Sequence, residues 1–396
     1  MNNAHIISIG SLASFSRGLT YSRSDEVDYS SNVVLRSNNI DLATNTLNFD
    51  ELKYISDAIN IPEDKKLQRN SIFMCMSNGS KQHLGKVAFI DRDYPYAFGG
   101  FMGLIKPKED IIIPKLLYYY FCSSKFKGFL SSIGNGANIN NIKFVDIAKD
   151  YISVPEKTTQ QSIIEELDKI NELIRLKKEQ LKDYDNLAQS IFYEMFGDPV
   201  VNEKGWEVKK LGEVAMIKTG PFGSMLHKED YITGGIPLIN PMHIQNFKAV
   251  PDKYFTISKE KAAELCDYQL KINDVIFARR GDIGRCAVIS DKEAGYLCGT
   301  GSLFVRFERK LSSIYTMYVV RTTSFIKELV SKAKGATMLN LNSSTMENLR
   351  FPIPPLPLQQ AFAQRIELIE QQKAEIQSTI ADLETLLASR MQYWFD

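Results

Sequence analysis

The sequence predicts an α+β protein built twice: two similar, mixed but β-rich globular units, each followed by a long helix, with an internal pseudo-two-fold repeat. Three observations carry this. The 396-residue chain matches itself at an offset of 199 residues. Two stretches show sustained heptad spacing without an internal Gly or Pro. At matched places in the two halves, apolar runs flank Gly-containing polar turns, the pattern of hairpins.

Self-similarity is clearest where GANINNIKFVDIAKDYISVPEKTTQQ (Gly136–Gln161) aligns without a gap on GATMLNLNSSTMENLRFPIPPLPLQQ (Gly335–Gln360). It continues to the end through Asp183 with Asp382 and Phe196 with Phe395. Upstream, LGKVAFI (Leu84–Ile90) matches IGRCAVI (Ile283–Ile289), and IGSLASFSRG (Ile9–Gly18) matches LGEVAMIKTG (Leu211–Gly220) at a slightly different offset. The expected division is a first globular unit over 1–154, a helix over 155–197, a linker over 198–205, a second unit over 206–353 and a helix over 354–396. The linker stretch GDPVVNEKG holds Gly, Asp and Pro, which end helices.

In the first helix Ile163, Leu167, Ile170, Ile174, Lys177, Leu181, Tyr184, Ala188, Ile191 and Met195 step by four and three. In the second the row is Phe362, Ile366, Ile369, Lys373, Ile376, Ile380, Leu383, Leu387, Arg390 and Trp394. Each row is a heptad seam. At 1.5 Å per residue a run of roughly 38 residues makes a rod of roughly 55–60 Å. Such a helix does not stay ordered with its stripe in water, so two of equal length point to an intramolecular coiled coil. Packing of each helix on its own globular unit is the alternative. Lys177 and Lys373 interrupt the seams, either snorkelling or fixing register.

Hydrophobic residues make up 44% of the chain and charged ones 24%, which excludes a disordered or fibrous protein. With 48 Lys and Arg against 47 Asp and Glu, a uniformly basic nucleic-acid coat is also excluded. The charge is not evenly spread. Residues 1–155 carry a net +2 and 206–353 a net +6, whereas 156–205 and 354–396 together carry −7. The globular units are the basic parts, and the acidic helices suit protein partners better than phosphates. Five cysteines without a CxxC pair read as inert thiols in a reducing compartment. Neither a basic-then-apolar start nor an apolar run of about 20 residues is present, so a cytoplasmic chain without a membrane partner is expected.

Catalytic patterns are missing. The stretch Gly79–Lys86 has its glycines six apart and Val87 where a P-loop needs Ser or Thr. The histidines, His5, His83, His227 and His243, have no metal-ligand spacing, and Asn240-Pro241-Met242-His243 lacks the second proline and the aromatic of a base-methylating motif. What remains is polar loops. ARRGDIGRC (Ala278–Cys286) reads as a hairpin tip carrying Arg279, Arg280 and Arg285. Guanidinium groups hold a guanine edge or a phosphate by paired hydrogen bonds. The alternative is a solvated turn salt-bridged to Asp274 and Asp282. The matching tip of the first half offers Asn78, Lys81, Gln82, His83 and Lys86, and Asn and Gln pair with adenine edges. Further loops at related places supply Arg17 and Tyr21, Arg36 and Asn38, Lys218, Thr219, Phe222 and Ser224, and His243 and Gln245. The turns before the helices add Asn138, Lys334 and Asn340. Each such loop also reads as an ordinary structural turn.

On the motifs WEVKKLGEVAMIKTGPFGS (Trp206–Ser224), NDVIFARRGDIGRCAVI (Asn273–Ile289) and IPPLPLQQAFAQRI (Ile353–Ile366), and on the unit–helix–unit–helix order, the chain resembles the specificity (S) subunits of type I restriction–modification enzymes. In the first half Ser77-Asn78-Gly79 stands where the second has Arg-Arg-Gly. The resemblance implies two target recognition domains, each reading one half of a bipartite, asymmetric site in double-stranded DNA through the loop residues just named. It implies that the helices form an antiparallel coiled coil that sets the spacing. It implies two modification (methyltransferase) subunits as partners, with S-adenosylmethionine, and restriction (motor/nuclease) subunits with ATP and Mg. This chain is then expected to be non-catalytic and to bind no cofactor itself. The alternative is a scaffold or decoy that docks modification subunits through its coiled coil and no longer reads DNA.

Overall fold

The computed structural model describes residues 4–133, 141–307, 311–333 and 340–396. They form two compact units, Met1–Lys178 with Gln377–Asp396, and Glu179–Ile376. Each long helix is therefore shared: its two halves belong to different units. In each unit the helix halves pack both on one another and on a sheet-and-helix layer.

The first unit centres on an antiparallel sheet of order Ala13–Arg17, Met102–Pro107, Ser71–Cys75, Val87–Ile90. Ser71–Cys75 (SIFMC) is buried throughout because both its faces are covered. Ile72 and Met74 point into a cluster with Leu116, Tyr120 and Leu167. Phe73 and Cys75 point the other way, towards Val33, Leu35 and Phe98. The period of two is present, but apolar residues occupy both phases. A second sheet runs Glu26–Val27, Lys53–Ile55, Asn32–Leu35, Ala97–Phe98, and its last pair is parallel. The first described strand, His5–Ser8, pairs antiparallel with Tyr151–Val154, the strand before the helix.

The second unit has the same plan. Its main sheet runs Ala215–Thr219, Ser302–Phe307, Val275–Ala278, Cys286–Val288, and its second runs Tyr231–Ile232, Thr256–Ile257, Ile236–Ile239, Leu297–Cys298. Val275 and Phe277 face the helical core, and Ile276 and Ala278 face the other side. Glu207–Lys210 pairs with Arg350–Ile353. A short hairpin, Ile244–Gln245 with Lys248–Ala249, is built on Asn246 and Phe247, both at positive φ. The repeat seen in the sequence is thus a repeat of topology.

Each unit also carries a helix pair on the sheet, Pro114–Cys122 with Ser124–Ile133 and Ser313–Arg321 with Thr323–Lys332. The repeated Gln-Gln motif explains how the long helix is tied to it. Gln160 is buried; its Oε1 accepts from the Ile113 amide at 2.8 Å and its Nε2 donates to the Pro155 carbonyl at 2.8 Å. Gln359 does the same with the Ser312 amide and the Pro354 carbonyl, both at 2.8 Å. A buried glutamine satisfies backbone groups where a helix begins, which a hydrophobic side chain could not do.

The long helices are Lys157–Phe196 and Leu356–Phe395, 40 residues each. Within the first unit they run antiparallel: Glu166 meets Arg390 and Trp394, while Lys178 meets Glu384 at 2.8 Å, so numbers rise on one helix as they fall on the other. Within the second unit Asp185 meets Lys373 at 2.9 Å and Met195 lies near Arg365, again in opposite directions. Ile163, Leu167, Ile170, Ile174, Phe362, Ile366, Ile369, Ile376 and Ile380 are buried, and Leu181, Ile191, Leu383 and Leu387 are half-buried. Lys373, one of the two lysines in the seams, pairs with Asp185 and Glu370. Phe192, Phe196 and Phe395 leave the seam and sit in the cores of their units. Gly197, at φ 75°, ends the first helix, and Trp206 Nε1 donates to the freed Phe196 carbonyl at 2.9 Å. Among the described residues, no helix is long and apolar enough to cross a membrane.

Two ion pairs differ in burial and should differ in weight. The Asp274 carboxylate is 1% exposed and receives Arg306 in two hydrogen bonds of 2.8 and 2.6 Å. Asp274→Ala is expected to destabilise the second unit by about 3 kcal/mol, because it leaves a guanidinium without its partner, read as a fall in the urea midpoint. Glu166 and Arg390 are each about one-third exposed. The Arg390 hydrogen bonds hold the Glu166 carboxyl below its ordinary value, against the effect of burial. A depressed carboxylate pKa contributes stability above the unfolded-state pKa and loses it as pH falls through the folded one. Glu166→Gln should therefore cost under about 1 kcal/mol at neutral pH, and that difference should begin to shrink as pH falls past the ordinary glutamate value of about 4.3 and be gone only once the lowered folded-state value is passed.

Candidate nucleic-acid interface

In the second unit, four loops gather around the turn Gly299-Thr300-Gly301. The strand Ala215–Thr219 runs into Gly220, whose backbone crosses that of Gly299 so closely that a Cβ would collide with the Gly299 carbonyl. The Gly299 amide donates to the Ile239 carbonyl at 3.0 Å, which brings in Asn240 and Pro241. The Arg279 amide donates to the Gly301 carbonyl at 3.1 Å. The Leu341 amide donates to the Arg279 carbonyl at 2.8 Å, and Arg280 forms a bridge with Asn340. The arginine tip and the residues Asn340 and Leu341 are therefore one surface.

The first unit repeats this frame with other side chains. Gly18 crosses Gly99, where a Cβ would again strike a carbonyl oxygen. The Gly99 amide donates to the Leu35 carbonyl at 2.9 Å, and the Met76 and Ser77 amides donate to the Phe101 carbonyl at 3.0 Å each. The Ile142 amide donates to the Met76 carbonyl at 2.7 Å, and Ser77 bridges to Asn141. Asn78 Nδ2 donates to Ser37 Oγ at 2.9 Å, tying the tip to the loop of Arg36 and Asn38.

Electrostatics separate the tip arginines. Arg279 is half-buried and its Nε donates to Asn340 Oδ1 at 3.2 Å. Burial, with the charge of the neighbouring Arg280 adding to it, pushes its guanidinium below its ordinary value. Guanidinium groups stay charged in proteins, so this pair favours an anion or an acceptor-rich base edge. Arg280 is exposed and has no ion pair among the described residues. Arg285 instead pairs with Asp282, so that part of the tip is a salt-bridged turn. Asp274 does not join it, being held by Arg306. Gly281 and Gly284, at φ 78° and 101°, make the reversal possible.

Other expected residues fall out differently. Arg17 and Arg36 are exposed, and Tyr21 is half-buried. Burial raises the Tyr21 phenol, with the charge of Arg36 opposing it. Lys81, Gln82 and His83 form a 3-10 turn, with Lys81 and Gln82 exposed. Asn38 is exposed beside Glu51. Thr219 is half-buried at a strand end, while Phe222, Ser224 and Gln245 are exposed. Lys218 turns to Asp267 at 3.0 Å and lies over the Tyr268 ring at 4.6 Å, which offsets its charge. Asn138 and Lys334 lie outside the described residues.

Two expectations are corrected. Lys86 is buried, and its Nζ donates to the Ile40 carbonyl at 2.8 Å; it braces the loop from within and does not face a ligand. His243 is buried as well, and its Nδ1 accepts from the Asn240 amide at 3.1 Å. Asn39 makes the corresponding turn in the first unit, with Oδ1 accepting from the Arg36 amide at 2.8 Å. The histidine is thus a turn-former. Sequence reasoning also missed the turns Gly99-Gly100-Phe101 and Gly299-Thr300-Gly301 at the centre of each surface. The signal was present: FGGFMGL and CGTGSLF stand at matched places before a strand.

Comparison with known proteins agrees with this geometry. Residues 1–183 and 203–384 match the type I restriction modification DNA specificity domain. The chain is 24% identical over 386 residues to the StySPI specificity subunit of Salmonella potsdam, covering 91% of this chain and 80% of that one. It is 29% identical over 166 residues to the EcoKI specificity subunit of Escherichia coli K12, covering 41% of this chain and 35% of that one. Among solved structures, the S subunit of a type I system from M. genitalium superposes with a TM-score of 0.54 at 14% identity, covering 100% of this chain and 96% of that one. A chain from a study of type I R-M complex assembly and conformational transition gives 0.62 at 16% identity, covering 99% and 97%. With two specificity domains matched across most of its length and the fold shared, the chain belongs to the DNA specificity subunits of type I restriction–modification systems, which recognise DNA sequence.

Proposed function

We propose that each unit reads one half of a bipartite DNA site through its converging loops, and that the paired helices set the spacing between the halves. One observation carries this reading: the same loop frame is built twice on the same strand order, with arginines at one tip and amides at the other. A shared frame with different hydrogen-bonding side chains is what two readers of different base sequences require. The exposed Arg280 and the half-buried Arg279 are assigned to one half-site. Asn78, Lys81, Gln82 and Arg36 are assigned to the other.

The acidic helical segments are the docking surface for two modification subunits, and restriction subunits join that assembly in the cytoplasm. S-adenosylmethionine, ATP and Mg belong to those partners in this proposal, and this chain supplies selection without catalysis. The reading is tested by co-expressing the chain with its modification subunits in a methylation-free host and sequencing for methyladenine. A split motif with one modified adenine in each half is expected; a stable complex with no motif would refute it.

Within that motif, Arg280→Ala is expected to weaken binding at one half-site about tenfold or more, the effect of losing a bidentate base contact of roughly 1–3 kcal/mol, and to relax its sequence. An equal loss on every sequence, with a shallower salt dependence, would identify a phosphate contact instead. Inserting one heptad in both helices adds roughly 10 Å of helix. At 3.4 Å per base pair the spacer should lengthen by about three pairs with both half-sites kept. An unchanged spacer would contradict the proposed role of the helices.

A further inference from the structure

Of the 22 phenylalanines in the chain, two are more than half exposed: Phe101, at 74%, and Phe222, at 63%. Exposed apolar residues scattered singly need no explanation. These two are not scattered. Phe101 lies two residues beyond Gly99 and Phe222 two residues beyond Gly220, and those glycines are members of the backbone crossings Gly18–Gly99 and Gly220–Gly299. The two phenylalanines come from different strands of the plan. Phe101 precedes the strand Met102–Pro107, and its place in the second unit is held by Gly301. Phe222 follows the strand Ala215–Thr219, and its place in the first unit is held by Thr20. Each unit thus sets one exposed ring beside its crossing, by a separate substitution.

The backbone under Phe101 is fixed. Its carbonyl accepts from both the Met76 and Ser77 amides, at 3.0 Å each, in a strand end whose next residue, Met102, is fully buried. Asn78 follows directly on that tip. A rigid ring with two side-chain torsions, held among polar loops, offers apolar contact area at little entropic cost. Its chemistry narrows what it reads. A phenyl ring neither donates nor accepts a conventional hydrogen bond. In the major groove, the one apolar feature that distinguishes base pairs is the 5-methyl group of thymine.

We propose that Phe101 and Phe222 are specificity-determining residues, each contacting a thymine methyl group in the half-site of its own unit. The inference rests on the DNA-reading role assigned to the loops above and adds the base and the chemical group. It also accounts for Phe222 lying in the open next to Gly223, at φ 65°, without an aromatic partner among the described residues. A side chain used only to fill the turn would be covered.

The test uses the full chain in complex with its modification subunits, on duplexes carrying the methylated motif. Thymines are replaced one at a time by deoxyuridine, which removes only the methyl. The unaltered complex should lose about fourfold in affinity at one thymine of each half-site, the scale of one buried methyl group. Phe101→Ala should bind the thymine and deoxyuridine duplexes equally in one half-site, and Phe222→Ala in the other. Phe101→Leu should keep part of the discrimination, and matched thermal melting of these variants would show intact folds. Selective binding with no deoxyuridine effect, or variants that weaken every duplex equally while still preferring thymine, would overturn the proposal alone. Increased fluorescence of 2-aminopurine at the contacted step would overturn it in favour of an intercalating wedge. A complex with no sequence preference at all would instead refute the DNA-reading role on which it rests.

Discussion

Everything in this chain depends on how two 40-residue helices, each with one apolar face, are kept from water. Neither the helix nor the sheet beside it is a finished structure. In each unit the main sheet presents one face of its central strand to the helical layer, through Ile72 and Met74 or Val275 and Phe277. That layer is closed by half of one long helix and half of the other, running antiparallel. Burying one helix therefore demands the second, and both demand the sheet. Two charged members of the seam keep it in register by pairing across it, Arg390 with Glu166 and Lys373 with Asp185. Such part-exposed pairs add little energy, but a slipped register would leave them opposite the wrong partners.

The sequence made the frame readable and the surface only partly so. Heptad spacing found the seam because burial along a long helix obeys one period, and the buried isoleucines from Ile163 to Ile380 follow it. Where the helices end, the rule fails: Phe192, Phe196 and Phe395 turn into their units' cores, and nothing in the local spacing announces that. The hairpin at Arg279–Arg285 was readable from its flanking strands and glycines. The second sheets, made of strands of two to four residues with a parallel pair, were not. Their residues have too little length to show a period.

Single polar residues were the hardest to place. Lys86 stands in a Gly-containing polar tip, where a lysine reads as a phosphate contact; only the fold shows its ammonium under the Ile40 carbonyl. His243 stands in a loop matching Arg36–Ile40, and its role is the one Asn39 has there, to close a turn. Composition describes what a side chain can bond to, whereas burial decides which bond is available. The glutamines Gln160 and Gln359 make the same point in the other direction, since a repeated polar pair beside a proline proves to be a buried brace.

In each unit the sheet-bearing segment is entered and left by neighbouring strands. His5 lies opposite Val154, and Glu207 lies opposite Ile353, so the two ends of each such segment are adjacent residues in an antiparallel pair. Topologically, a reading unit is a closed cassette held by two cut points side by side, at the foot of a helix. A genetic crossover at those points would exchange an entire set of reading loops while leaving the helix that follows untouched. The pairing of these four-residue strands thus holds both ends of the segment at one place, so that an exchanged segment would need to match the rest of the chain only at that one joint.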